Sequence, residues 1–372
     1  MKDICIIIPT IRNYGIVRNY LRNARESGFD VSRLGFLLVT EDFCDISAMK
    51  KMLFEEGVQG EVVGQSLRDA WFEKNGIGDF KGIIPRKSHA ETSFGLLWML
   101  TGGYDYGIFI DDDTAPLRGT DYFGSHMANL GFRGKMPSLS SDKNWVNVLH
   151  HNFTRHMLYP RGYPYSCINE TIGVSEKSVK NAVISQGLWT EIPDLDSIRI
   201  LSGGDLNGQS VVKTVPADFR GNFVVNRSNY LTVCSMNLAF KREIIPAFYQ
   251  LPMDDNPWKI GRFDDIWSGV FAKKACDIMD DDIITGMPLC AHNKAPRSTF
   301  KDLNAEVPAL EINEHLWKIT DSVRCDSKSY VDIYRAIAER MITEKGSFIN
   351  ADYLQYLGKK MLLWLDCVTK LS

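Results

Sequence analysis

The chain lacks most of the features that would place it quickly. No apolar run is long enough to cross a bilayer. The opening stretch MKDICIIIPT has too short an apolar run for a secretory signal and is closed by Pro9. A soluble, cytoplasmic protein with no membrane partner is therefore expected. Eight cysteines are scattered with no C-x-x-C pair and no zinc-like spacing, which predicts reduced thiols. A net charge of −3 does not indicate a nucleic-acid partner, although a local basic groove is compatible with that balance. Internal repeats and low-complexity tracts are missing. So are the phosphate-binding G-x-x-x-x-G-K-[ST] loop and the G-x-S-x-G nucleophile elbow. GIGDFKG (Gly76–Gly82) has the wrong spacing for a dinucleotide fingerprint and follows no strand. What is present is 372 residues, 44% of them hydrophobic, enough for a large core and one appended unit.

That core has a readable pattern. ICIIIP (Ile4–Pro9) and LGFLLVT (Leu34–Thr40) are short apolar runs rich in strand formers, with GEVVG as a brief third strand and YGIFI (Tyr106–Ile110) as another. Between them lie helical stripes: Ile16, Val17, Tyr20, Leu21 and Ala24; then Ile46, Met49, Met52 and Leu53; then Phe94, Leu97 and Trp98 in a helix from about Ser88 to Leu100. Continuous apolar strands alternating with helices predict an α/β fold, a mostly parallel sheet with helices on both faces. Ligands of such sheets bind beyond the carboxyl ends of the strands, where Pro9–Asn13, Glu41–Asp42 and Asp111–Asp113 fall. The middle, about 120–229, reads as irregular binding loops, with a glycine-rich loop at LSGGDLNGQS. From about Asn313 the chain reads as helical, with stripes at Tyr330, Ile333, Tyr334, Ile337 and Met341 and at Leu354, Leu357, Met361, Leu362 and Leu365. This divides the chain into a catalytic unit, 1–312, and a helical region, 313–372, that packs on the sheet or on a second subunit of a homo-oligomer.

Asp111, Asp112 and Asp113 close the strand YGIFI. An Asp-x-Asp at a strand end suits a hard divalent cation with phosphate oxygens on its far side. If strand alternation persists, Asp111 and Asp113 point one way as metal ligands and Asp112 points away. An Asx-turn or helix cap is the plainer alternative. Pro9, Thr10, Arg12 and Asn13 stand past the first strand, with Glu41 past the second, where backbone groups and Arg12 can hold a nucleotide. Lys87, at the start of the helix leading to the triplet, opposes the helix dipole unless an anion lies between. In GRFDDIWSG (Gly261–Gly269), one of Asp264 and Asp265 can cap the following helix and the other can act as a base or sugar-hydroxyl acceptor. His292, after an apolar run, is a candidate third metal ligand, and Lys294 a candidate partner for a leaving diphosphate.

Taken together, IPTIRN (8–13), FIDDDT (109–114), RGYPYS (161–166), GLWTEIPDLD (187–196), SMNLAF (235–240), GRFDDIWSG (261–269) and TGMPLCAHNKA (285–295) resemble the reversibly glycosylated polypeptides, the family that includes plant UDP-arabinopyranose mutases. The resemblance implies a GT-A-like fold, a UDP-sugar substrate, a manganese or magnesium ion held by the aspartate triplet, and Arg161 as the position that becomes glycosylated. A guanidinium is an unusual nucleophile, because it stays protonated at ordinary pH. A neighbouring carboxylate has to take its proton; otherwise its role is to clamp a diphosphate. The chain carries Thr92 where the family has an arginine, TEDF (40–43) where it has Asp-Gly-Asp, and CINET after RGYPYS. Three functions follow: a UDP-sugar mutase or self-glycosylating protein, a transferase onto a separate glycan, protein or hydroxylated nucleobase, or a non-catalytic UDP-sugar-binding subunit.

Overall fold

The computed structural model describes residues 2–12, 14–149, 158–253, 256–346 and 350–372. The first half is a βα alternation: β1 (Ile4–Pro9), α1 (Ile16–Ser27), β2 (Leu34–Val39), α2 (Ile46–Glu55), β3 (Gln59–Val63), α3 (Gln65–Lys74), α4 (Ser93–Gly102) and β4 (Tyr106–Ile110). The four strands are parallel and run in the order β3-β2-β1-β4. β1 and β2 are apolar and almost wholly buried, because helices cover the sheet on both faces. A Cβ on Gly95 of α4 would stand 2.5 Å from Ile7, so α4 lies directly on β1.

The segment expected to be irregular supplies much of the other half. β5 (Thr114–Pro116), α5 (Tyr122–Gly131), β6 (Gly134–Ser141), β7 (Ile172–Val179), β8 (Ala182–Glu191), α6 (Ser197–Ser202) and β9 (Phe223–Val225) all fall in or beside it. With β10 (Asn237–Lys241) and β11 (Asp282–His292) they extend the sheet as β4-β10-β8-β11-β9-β6-β7, with mixed directions. β10 shows the two-sided covering. Phe240 meets Met99 of α4 across Gly107, whereas Asn237, three residues away, accepts through Oδ1 from His126 Nε2 of α5 at 2.9 Å. The antiparallel β6–β7 pair is the sheet's polar edge, and β7 is mostly exposed, so neither strand carries an apolar run to announce it.

Helix α7 (Asp264–Met279) runs through the interior, buried from Asp264 to Cys276. α8 (Thr299–Asp321), α9 (Tyr330–Thr343) and α10 (Ala351–Leu371) follow. The helical run thus starts at Thr299, not near Asn313, and α8 passes through position 312. α8 braces what precedes it: Trp267 Nε1 donates to Asn313 (3.0 Å), whose amide donates to the Gly162 carbonyl (2.8 Å). α9 and α10 pack on this chain itself, with Trp364 stacked on Tyr249 at 4.7 Å. All eight cysteines are free. Among the described residues no helix is long and apolar enough to cross a membrane.

Gly162 marks where fold and site meet. It has φ +85°, and a Cβ there would stand 2.2 Å from Ile266 of α7. Gly162→Ala should cost about 2–4 kcal/mol, combining left-handed strain with overpacking. A denaturant midpoint equal to wild type would show that the 161–166 loop does not need this close approach.

Candidate active site

The strands end in a cavity of about 280 Å³ lined by Pro9, Arg12, His89, Asp111–Asp113, Arg161, Asp194, Met236, Arg262, Asp264, Asp265, His292, Lys294 and Arg297. A second, more open chamber adjoins it, lined among others by Thr10, Ile11, Glu41, Phe43, Lys87, Ser88 and Glu91. Pro9, Arg12, His89 and Asp112 border both. The cavity thus gathers most of the residues singled out above, and the chamber takes Thr10, Glu41 and Lys87. Asn13 lies outside the described residues.

Strand alternation does not carry through the triplet. The strand stops at Ile110, and a turn closes with the Thr114 amide donating to the Asp111 carbonyl at 3.2 Å. Thr114 Oγ1 donates to the same carbonyl (2.8 Å) and accepts from the Tyr20 hydroxyl (2.7 Å), so α1 braces the turn. In a turn three successive side chains fan out, and each finds a different partner. Asp111 lies 3.2 Å from His89 Nε2. Asp112 accepts from Thr10 Oγ1 (2.8 Å) and from Arg12 (3.4 Å), which ties it to the end of β1. Asp113 lies 3.6 Å from His292 Nε2. That last pairing is set by sheet register, because Thr114 of β5 is opposite His292 of β11.

His292 has a defined tautomer. Its Nδ1 lies 2.7 Å from the Ile192 carbonyl, which can only accept, so Nδ1 carries the proton. In the neutral ring Nε2 then offers a lone pair beside Asp113. Among the described residues no group of three His, Cys, Asp or Glu side chains is assembled to hold a metal ion. The donors present nevertheless fit a magnesium- or manganese-like ion, which takes one or two carboxylates and fills its remaining positions with water and phosphate oxygens. Asp113 and His292 offer such a partial set, with Asp111 beside them. Without a metal, Asp113 stays ionised: burial would raise its pKa, but a hydrogen bond and charge from His292 with Nε2 protonated, then Arg12 and Arg297, lower it, and a bound cation would replace that proton. Asp111 moves the other way, pushed up by burial against the pull of His89, with Asp113 and Asp265 adding to the rise.

His89 has no sequence signal of its own, since it stands alone in a short polar stretch. Lys87 does not begin a long α-helix; it adopts φ +52°, and a 3₁₀ turn over His89–Thr92 precedes α4. Ser88 caps that turn, and His89 is presented between Asp111 and Asp264, the latter 2.9 Å from Nδ1. Burial works against its charge, but the two carboxylates outweigh burial and hold the imidazolium well above its ordinary range. Lys87 is anchored by its backbone amide, which donates to Glu41 at 2.7 Å. Glu41 also faces Arg68, a buried arginine bound to Glu91 at 2.7 Å.

Asp264 and Asp265 occupy the first turn of α7, where helix-dipole charge favours carboxylates. Neither caps the helix from the cap position, which is Phe263. Both are used across the cavity instead, Asp264 on His89 and Asp265 on Arg161. Arg161 is fully engaged. Its Nε lies 3.0 Å from Asp194, Nη2 lies 2.9 Å from the same carboxylate, Nη1 lies 3.3 Å from Asp265, and Nη1 also donates to the Arg262 carbonyl. Burial opposes its charge, but Asp194 and Asp265 overcome this and hold it firmly as guanidinium. Asp194, in turn, is held ionised, with Arg161 and Lys294 overriding burial. Asp194 was visible in the sequence only as part of GLWTEIPDLD, with nothing to mark it as the main partner of Arg161. Helix α8 supports this end: Glu314 accepts from the Tyr165 and Ser166 amides, and Glu306 accepts from Arg262 at 2.7 Å. Lys294 is 7% exposed and its pKa is pushed down to about 8, first by burial and then by Arg297, Arg262 and Arg161, against the pull of Asp194.

The strand ends of this α/β sheet thus bring a braced aspartate turn, a histidine of defined tautomer and a carboxylate-clamped arginine to one cavity. Residues 77–372 match the model of the family described as "Reversibly glycosylated polypeptide". The chain belongs to that family. Its C-terminal helices, outside the motifs that first suggested the resemblance, lie inside the matched region. Among similar proteins, UDP-arabinopyranose mutase 1 of Arabidopsis thaliana is 31% identical over 386 residues, covering all of this chain and 94% of that protein. UDP-arabinopyranose mutase 2 of the same plant is 28% identical, covering all of this chain and 93% of its own length. Among solved structures, the mannosyltransferase PcManGT from Pyrobaculum calidifontis superposes with a TM-score of 0.40 at 11% identity, covering 97% of this chain and 74% of that one.

Proposed function

We propose that this protein is a metal-dependent UDP-sugar enzyme with a GT-A-like sheet, acting as a UDP-arabinopyranose mutase that carries the sugar transiently on Arg161. The observation that carries the reading is the meeting, in one cavity, of the Asp111–Asp113 turn, the His292 lone pair and Arg161 between two carboxylates. In this reading the adjoining chamber takes the uridine, with Thr10, Glu41 and Lys87 on its walls and Arg12 and Asp112 at the junction. Asp113 and His292, with Asp111, would hold manganese or magnesium, which when bound would supply positive charge to offset that of the diphosphate. In the covalent step the bond from the anomeric carbon to the diphosphate oxygen breaks and a bond to a guanidinium nitrogen forms. The proton on that nitrogen passes to Asp265 or Asp194, and UDP departs.

A second reading, transfer to a separate acceptor, is favoured by one feature. Every nitrogen of Arg161 is already hydrogen-bonded, so a nucleophile supplied from outside needs no rearrangement there. Asp264, already bound to His89, would then be the acceptor-side base. The test is incubation with UDP-arabinopyranose and manganese, followed by chromatography of the nucleotide sugars and intact-mass analysis of the protein. The furanose form together with a pentose adduct at Arg161 is expected. Consumption of UDP-sugar by unmodified protein only when an acceptor is added would select the second reading. No consumption under any condition would sink both and leave a UDP-sugar-binding subunit.

A further inference from the structure

We infer that Lys294 is an oxyanion-binding residue, whose ammonium is completed by a phosphate or carboxylate of the ligand and not by the protein. Lys294 lines the cavity and is more than nine-tenths buried, yet its Nζ has no hydrogen-bond acceptor among the described residues. Burying an ammonium without a partner costs several kcal/mol, so such groups are normally paired or reach solvent. The neighbouring acid, Asp194, is already committed to two nitrogens of Arg161. The neighbouring cations are taken as well: Arg262 by Glu306 and Asp302, and Arg297 by Asp302 at 2.6 Å. This leaves Lys294 as the donor still to be satisfied at this end of the cavity.

Its place on the chain points to the ligand class. Lys294 is two residues beyond His292, and both line the cavity. The loop that positions it is tied down, since Gln209 donates to the Lys294 carbonyl at 2.8 Å. A rigid, water-poor ammonium of this kind suits a compact oxyanion. Two sources have that chemistry: the distal phosphate of a nucleoside diphosphate, and an acidic group on the transferred sugar or its acceptor. The inference rests on the proposed function only for the nucleotide arm, and the test separates the two.

Titration calorimetry with manganese present should compare wild type, Lys294→Met and Lys294→Arg toward pyrophosphate, UMP, UDP, UDP-glucose and UDP-glucuronic acid. Lys294→Met should weaken pyrophosphate and UDP by at least tenfold, leave UMP within about twofold, and be largely rescued by Lys294→Arg. If Lys294→Met instead removes only a preference for UDP-glucuronic acid over UDP-glucose, the inference holds with a sugar carboxylate as the source. Unchanged affinities for all of these in a folded Lys294→Met protein would overturn it. Wild-type binding of pyrophosphate but of no uridine nucleotide would overturn the proposed function and leave the inference standing, provided Lys294→Met loses the pyrophosphate. If wild type binds none of the five, both fall.

Discussion

Asp113→Asn is expected to abolish manganese-dependent binding of UDP, by on the order of 100-fold or more, while Asp112→Asn weakens it by less than about fivefold. On the proposed reading the first change removes a direct metal ligand beside His292, and direct ligands matter more than outer hydrogen-bond partners, whose loss costs roughly 10–100-fold at metal sites. The second keeps an oxygen for Thr10 and loses the ion pair to Arg12, whose side chain is 59% exposed. Such half-exposed pairs contribute under about 1 kcal/mol. Asp111→Asn should fall between them, because Asp111 is shared with His89. Calorimetry with UDP, with and without manganese, decides the order. Equal losses at all three positions would show that the fan of the turn does not assign separate jobs.

The second large effect is on stability. Arg161→Met should destabilise the fold by about 3–5 kcal/mol, because it leaves Asp194 and Asp265 buried without their cation. The depressed pKa of Asp194 makes its share of this stabilisation present above the ordinary aspartate range and lost on acidification through its lower folded value. Arg161→Met/Asp194→Asn should recover at least about 1 kcal/mol relative to the sum of the single changes, since the two residues share one network. Urea unfolding measures this, and an Arg161→Met midpoint equal to wild type would refute the clamp. For the mutase reading, loss of activity in Arg161→Met is therefore weak support, and the glycosyl adduct on the wild-type protein is the stronger observation.

The parallel half of the sheet was legible because β1, β2 and β4 are buried on both faces and so read as unbroken apolar runs. The β6–β7 pair was not, because an edge strand facing water carries Glu, Lys and Ser where a central strand carries Ile and Val. β8 is buried up to Thr190 but contains Ser185, Gln186 and Gly187, so its apolar run is interrupted. At the site, the aspartate triplet announced itself by composition and position. Its division of labour did not, since that depends on where the strand stops, and Thr114 and Tyr20 decide it. His89 and Asp194 show the same limit from the other side. Each matters through a partner distant in sequence, His89 through Asp264 and Asp194 through Arg161, and a single chain read in order contains no spacing that joins them.

The three-residue strand β5 has a further consequence. Asp113 meets His292 only because Thr114 is opposite His292 in the β5–β11 ladder. Side chains alternate across a strand, so a slip of one residue would turn the pair to opposite faces. The meeting is digital: it survives many changes of side chain in β5 and β11 but no change in chain length between Asp111 and Pro116. Insertions and deletions should therefore not be tolerated in these six residues, which makes the segment a length-sensitive marker of the Asp113–His292 pairing.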